Sequence, residues 1–427
     1  MTSSSNSITV IQPGRLIDGL GGPPLDHMAV VVRGSRILWV GPQDQVYGPG
    51  GPLAASTPGS HGLVLDFPQG TLLPGLIDCH THTNMPGDGR RGEEVHPDSD
   101  AVRLLRSARN VGRALRSGVT TVCDCGSWNQ TALSLKEGLA QGLVEGSRLL
   151  ASGRPITTTG GHLWYMGGEA DGVDGVRRRA RELIKEGADF IKVVASGGST
   201  STSDPYRPSL TAPEIVTIVE EAHGRGKPVA AHCRCTAAIN NAVEAGVDMV
   251  LHCAFYDADG SYRFDQATAE ALVSSGVRIN PTLHLGRIRL NMLRRKREQE
   301  ELTAEESALL ETSEQGDRLR MEHFGRLIQM GVKLVGGSDC GWGSYPFGDF
   351  QGEIIAMVDA GLSPMEAILA GTRNGAEAMR VIAKVGTVEQ EKEADLLVVD
   401  GDPAQDIAAL RQVTAVFQGG RLVGGED

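Results

Sequence analysis

The chain has 427 residues, 40% of them apolar, and a formal charge of −12 from 53 acidic against 41 basic side chains. That length supports a large core and an enclosed site in one large or two domains. The acidic balance excludes a surface built to bind nucleic-acid phosphates. No apolar window is long enough to cross a bilayer, and the start "MTSSSNSITV" lacks the basic and apolar regions of a signal peptide. The expectation is a soluble, cytoplasmic protein with a small-molecule partner and no membrane or nucleic-acid partner. The seven cysteines are odd in number and spread out, which points to reduced thiols.

In chain order, residues 8 to 72 hold "ITVIQPGRLID", "MAVVVRGSRILWVGP" and "GLVLDFPQGTLL" between Gly- and Pro-rich turns. They predict short antiparallel strands. Eight apolar runs follow. They are "TLLPGLIDCH", "VTTVCDCG", "SRLLASG", "FIKVVASGG", "PVAAHC", "MVLHC", "VRINPTLH" and "KLVGGSD". Between them lie helical patterns such as 101–118 and 211–226, where Thr211 and Glu214 have capping-box spacing. Eight buried parallel strands alternating with helices predict an α/β protein of the (β/α)₈ TIM-barrel type; a doubly wound open sheet is the competitor. Residues 287–331 are charged and helical in pattern, a solvated excursion or, on the sharper reading, a lid. The C-terminal "ADLLVVDGDP" and "VTAVFQGGRLV" echo the N-terminal strands. The expected domains are a small β-sandwich from 1–72 plus 381–427 and a barrel over 73–380.

In such a barrel the site lies where the strands end. "GLIDCHTHTN" puts His80 and His82 at the end of the first barrel strand, where alternation aims both rings the same way. His232, His252 and Asp339 fall at the ends of the fifth, sixth and eighth. Imidazole and carboxylate together suit zinc and its first-row neighbours. Lys192 stands inside an apolar strand, where an ammonium is costly. It snorkels or pairs, or its neutral amine takes up carbon dioxide as a carbamate that bridges two metals. Arg234 has the parity of His232 and either meets a substrate carboxylate or points outward. Trp342, Tyr345 and Phe347 concentrate aromatics in a chain with only 4% of them, and suggest an apolar wall. The pairs Cys123 with Cys125 and Cys233 with Cys235 read as buried thiols, with ligand or redox pairs as the alternative. His27, His61, His96, His223 and His323 carry no pattern and read as surface or packing residues; His284 stays open.

At these residues the chain resembles the amidohydrolase superfamily. The similar branch includes imidazolonepropionase-like hydrolases, prolidase-like and arginine- or lysine-releasing metallo-carboxypeptidases, and ochratoxin-degrading amidases. "LLPGLIDCHTHT", "SGRPITTTGGH", "FIKVVASGG", "AVEAGVDMVLH", "GGSD" and "GTRNGAEAMR" carry the resemblance over most of the chain. It implies that His80, His82 and Asp339 bind one divalent metal and His232 and His252 another. Carboxylated Lys192 then bridges them and a hydroxide lies between, the metals being zinc, or cobalt or manganese. Asp339 takes the hydroxide's proton and passes it to the leaving nitrogen. The resemblance also implies His162 beside the scissile group, Tyr206 as a substrate-carboxylate contact, and a homo-oligomer.

The leading expectation is a binuclear metal hydrolase cleaving the amide bond of an N-acyl amino acid or dipeptide-like substrate. An amidase, carbamate or urea hydrolase for apolar or xenobiotic substrates, ochratoxin-type amides included, is the alternative. A catalytically silent binding barrel is the remote one.

Overall fold

Residues 7–54 and 62–424 are described by the structure, a computed structural model. His61 and the outermost ends of the expected small domain lie outside these residues. The first strands are β1 (Ile8–Leu16), β2 (Leu25–Asp26), β3 (Met28–Arg33), β4 (Arg36–Pro42) and β5 (Leu63–Pro74). From the other chain end come β14 (Leu396–Asp400), β15 (Val413–Gln418) and β16 (Arg421–Leu422). They form one hydrogen-bonded sheet in the order β16-β15-β14-β5-β1-β3-β4, with β2 on β1. β5 is the joint between the two chain ends. It pairs with β14 antiparallel, but with β1 parallel, where the sequence suggested antiparallel neighbours throughout. The hairpin β3–β4 occupies the other side of β1, so the returning chain reaches β1 from its starting end. That hairpin turns at Gly34, whose φ of 57° suits a residue without Cβ. Alternation sends Val30 and Val32 to one apolar cluster and Ala29 and Val31 to another, so β3 is buried on both faces.

The middle of the chain alternates strands and helices. Its strands are β6 (Leu76–Thr81), β7 (Val119–Asp124), β8 (Arg148–Ala151), β9 (Ile191–Val194), β10 (Val229–His232), β11 (Met249–Leu251), β12 (Arg278–Asn280) and β13 (Lys333–Leu334). Between β6 and β9 lie α1 (Gly92–Val95), α2 (Asp100–Arg116), α3 (Thr131–Ala140) and α4 (Gly172–Glu186). Then come α5 (Ala212–His223), α6 (Thr236–Glu244), α7 (Gln266–Ser275), α8 (Leu283–Gln299) and α9 (Ala304–Gln329). After β13 follow α10 (Gln351–Asp359), α11 (Pro364–Ala370) and α12 (Arg373–Ala378). α5 starts where the spacing predicted, with the Glu214 carboxylate accepting from the Thr211 backbone N–H at 2.8 Å.

The eight strands are parallel and lie in two arcs, β6-β7-β8 and β13-β12-β11-β10-β9. Every residue of β6, β7, β9, β10 and β11 is buried, as strands covered on both faces require. Single parallel bridges link the arcs on both sides, Thr81 to Cys340 and Ile156 to Val193. The last two strands are shorter than their apolar runs. β12 stops at Asn280, before the residue preceding α8, Thr282, turns left-handed with φ 49°. Regular pairing of β13 stops at Leu334, ahead of Gly336 and Gly337. The α/β unit meets the mixed sheet through Arg148, which pairs with both Glu393 and Asp395. No helix among the described residues is long and apolar enough to cross a membrane.

Candidate metal centre and substrate cavity

The strand ends bring the six expected ligands into one chain of contacts. His80 and His82 each point Nε2 at Asp339 Oδ1, at 3.4 Å. Lys192 Nζ lies 3.3 Å from His80 Nε2. The His252 ring is centred 5.2 Å from His80 and 4.5 Å from His232. Ligand atoms of His80, His252 and Asp339 all lie within 4.8 Å of one another. His252 and Asp339 have left-handed backbones, φ 64° and 61°, of the kind that persists only where surrounding structure enforces it.

Neighbouring groups fix which nitrogen each ring presents. Asn280 donates its amide N–H to Gly337 O at 2.8 Å, so its oxygen faces His80 and accepts from Nδ1 at 2.9 Å. His82 Nδ1 donates to Gly126 O at 3.0 Å. Both rings therefore turn a bare Nε2 inward. His232 is reversed, because its Nε2 donates to Gly197 O at 3.2 Å and leaves Nδ1 bare. His252 Nδ1 meets Thr282 Oγ1 at 2.9 Å, and Arg320 donates to that same oxygen at 3.2 Å. Metal-binding histidines are oriented in this way by their second nitrogen.

Burial, followed by the charges of neighbouring groups, holds the histidines neutral. His82 is driven down to about 3, and His80, His162, His232 and His252 lie well below the ordinary histidine value. Burial also lowers the Lys192 amine and pushes the Asp339 carboxyl up to about 8. Asp339 Oδ1 has no hydrogen-bond donor although it is fully enclosed. A buried acceptor facing two bare ring nitrogens calls for a cation between them. The donor set, imidazoles with a carboxylate and a lysine amine, fits divalent zinc or its neighbours.

Above these groups opens a cavity of about 580 Å³. His162, His232, Arg234, His252, Asp339 and Trp342 line it, while His80, His82 and Lys192 lie outside its wall. His162 is centred 4.8 Å from His232 and meets Thr200 Oγ1 through Nδ1 at 2.8 Å. Its ring packs so closely on Gly198 that a Cβ there would stand 2.5 Å from it. Trp342 stacks on His82 at 5.5 Å. The Arg234 guanidinium lies 5.6 Å over Tyr256.

The remaining residues singled out by the sequence are spread more widely. Tyr206 is not brought to the cavity wall: it is 37% exposed and packs on Tyr256, the ring under Arg234. Tyr345 and Phe347 are buried in the main core, so of the three aromatics only Trp342 faces the cavity. All seven cysteines are buried and free of disulfides. His284 binds Asp349 at 3.0 Å and is not part of the cavity wall. The sequence reading missed Asp78, Asn280, Thr282, Leu285, Ile288, Arg289 and Arg320. Of these only Asp78 carried a local signal, beside His80. It fastens β6 to the end of the parallel sheet, accepting from the backbone of His80 at 3.1 Å and of Ser338 at 2.9 Å. The excursion, α8 and α9, supplies Leu285, Ile288, Arg289 and Arg320 to the cavity wall. It is more than a solvated appendage.

Residues 71–423 match the model of the amidohydrolase family. The chain is 28% identical to the ochratoxinase of Aspergillus niger over 98% of its length and 87% of that protein. It is 25% identical to the imidazolonepropionase of Micrococcus luteus, over 94% of this chain and 95% of the relative. A Xaa-Pro dipeptidase, solved with methionine bound in its active site, superposes with a TM-score of 0.83 at 26% identity, covering 98% of this chain and all of that one. With a family model matched over most of the chain, and with relatives aligned over most of their own length, the chain belongs to the amidohydrolase family and is a hydrolase acting on C–N bonds.

Proposed function

We propose that the protein is a binuclear metal hydrolase that cleaves the amide bond of an N-acyl amino acid or dipeptide-like substrate with a free carboxylate. The observation that carries the reading is the cavity itself: neutral imidazoles and Asp339 at its base, and Arg234 in its wall without an ion-pair partner among the described residues. The bridges at Thr81–Cys340 and Ile156–Val193 support a closed (β/α)₈ barrel over 73–380, with a β-sandwich from 1–72 and 381–427 as its companion.

On this reading His80, His82 and Asp339 would hold one divalent ion and His232 and His252 a second, with carboxylated Lys192 as a further ligand. Zinc is the first choice. Such a pair activates water and polarises a carbonyl oxygen. The protein groups do the rest. His162 donates to the substrate carbonyl, Arg234 holds the carboxylate, and Trp342 walls the site against bulk water. Asp339 takes the proton of the attacking water and delivers it to the leaving nitrogen. The amino acid held by the Xaa-Pro dipeptidase in its own site favours a carboxylate-bearing leaving group.

A second reading, an amidase, carbamate or urea hydrolase for apolar substrates, draws support from Trp342, Leu285 and Ile288 in the wall. Matched substrates separate the two. The measurement is kcat/KM of zinc-loaded enzyme on N-acyl amino acids and on the same compounds without the carboxylate. A fall of about a hundredfold without the carboxylate, equivalent to roughly 3 kcal/mol, supports the first reading. Equal or faster cleavage of the neutral compounds overturns it.

A further inference from the structure

The cavity wall carries more positive charge than one carboxylate neutralises. Arg90 and Arg91 line it paired with Asp88 and Glu93, whereas Arg234, Arg289 and Arg320 line it and none forms an ion pair among the described residues. Other arginines of the same helical hairpin are matched. Arg287, two residues before Arg289 on α8, pairs with Asp317 at 3.0 Å and Asp359 at 2.6 Å; Arg294 pairs with Glu314 at 3.1 Å. In a chain of net charge −12, acids are plentiful, yet the hairpin's two cavity-facing arginines have none. Arg320 donates to neutral acceptors, Pro281 O and Thr282 Oγ1, and makes no direct ion pair, although the buried Glu353 carboxyl feels its charge.

The three guanidiniums also differ in position. Arg234 follows β10 directly after the ligand strand end, and Arg320 touches the threonine that meets His252, so both stand beside the centre. Arg289 is exposed, on α8. Leu285, one helical turn before it, shares its face of α8, and Ile288 lines the cavity beside them, so apolar surface adjoins the charge. A short aliphatic chain ending in an anion matches that sequence of surfaces.

We infer that the preferred substrate carries two carboxylates. The α-carboxylate of the leaving amino acid lies at Arg234 and Arg320, and its side-chain carboxylate reaches Arg289 across Leu285 and Ile288. N-acyl glutamate and N-acyl aspartate are the class. The inference rests on the amide-hydrolase reading above and names its specificity.

The test uses the zinc-loaded full chain with N-acyl-glutamate against N-acyl-glutamine, which differ only in the second charge. The expected ratio of kcat/KM is about tenfold or more in favour of glutamate, shrinking with added salt. In Arg289→Gln that ratio falls towards one, and Arg289→Lys recovers part of it. Arg297→Gln, on the same helix and exposed away from the cavity wall, keeps the wild-type ratio. A ratio near one in the wild type, or a ratio unchanged by Arg289→Gln, overturns the inference. So does a preference for N-succinyl over N-acetyl substrates with none for glutamate, because it puts the second charge on the acyl side. If no N-acyl amino acid is cleaved, the amide-hydrolase reading fails on its own. Binding still decides this one: L-glutamate raises the thermal midpoint more than L-glutamine in the wild type and not in Arg289→Gln.

Discussion

Asp339 Oδ1 stands 3.4 Å from His80 Nε2, and this buried oxygen has no hydrogen-bond partner. The arrangement is costly for a bare protein and sensible for one that holds a cation there. Asp339→Asn keeps the volume and removes the charge. It is expected to lower metal content and to cut kcat by at least about a hundredfold, the lower end for loss of a general acid–base. Full activity at full metal content in this variant would remove Asp339 from both roles.

Asn280 reaches the centre only through His80. Asn280→Ala removes the oxygen that accepts from His80 Nδ1, and the ring is then free to present either nitrogen. The expected loss is about ten- to a hundredfold in metal affinity, measured by competition with a chelator, with the fold intact by circular dichroism.

Lys192 is 1% exposed, and burial favours its neutral amine, the form that reacts with carbon dioxide. Isotopically labelled bicarbonate is expected to give one carbamate resonance in the metal-loaded wild type and none in Lys192→Met. Activity of Lys192→Met should drop to the background of metal-free protein. A silent wild-type spectrum at full metal content would rule out the carbamate and leave the lysine as an amine.

Arg148 joins the parallel sheet to the mixed sheet through Glu393 and Asp395, and the Asp395 side chain is 2% exposed. Burial holds the Asp395 carboxyl above its usual value, with Arg148 opposing the rise. Arg148→Met removes that opposition and raises it further, leaving an unpaired buried charge at neutral pH, worth about 3 kcal/mol. A carboxyl raised in the folded state binds protons better there, so its contribution to stability is lost as pH rises through the folded value. The deficit of Arg148→Met in thermal midpoint should therefore be small in acid, below about pH 4, and grow towards neutral pH. A deficit independent of pH would assign the loss to packing alone.

The sequence by itself determined the parallel strands and which polar residues stand at their ends. An apolar run such as "FIKVVASGG" can be satisfied only by a strand buried on both faces, and the polar residues at such strand ends fall on one side of the sheet. His80, His82, His232, His252 and Asp339 were therefore legible one by one, each from its own few neighbours. What only the tertiary structure decided was everything that depends on two distant segments meeting. The bare nitrogen of each ring is set by Asn280, Gly126 or Gly197, far away in the chain. The outward turn of Tyr206, the burial of Tyr345 and Phe347, and the arrival of Arg289 and Arg320 at the cavity follow from how loops and the α8–α9 hairpin pack. Local spacing records which face of an element is apolar; it holds no record of which surface that face will meet.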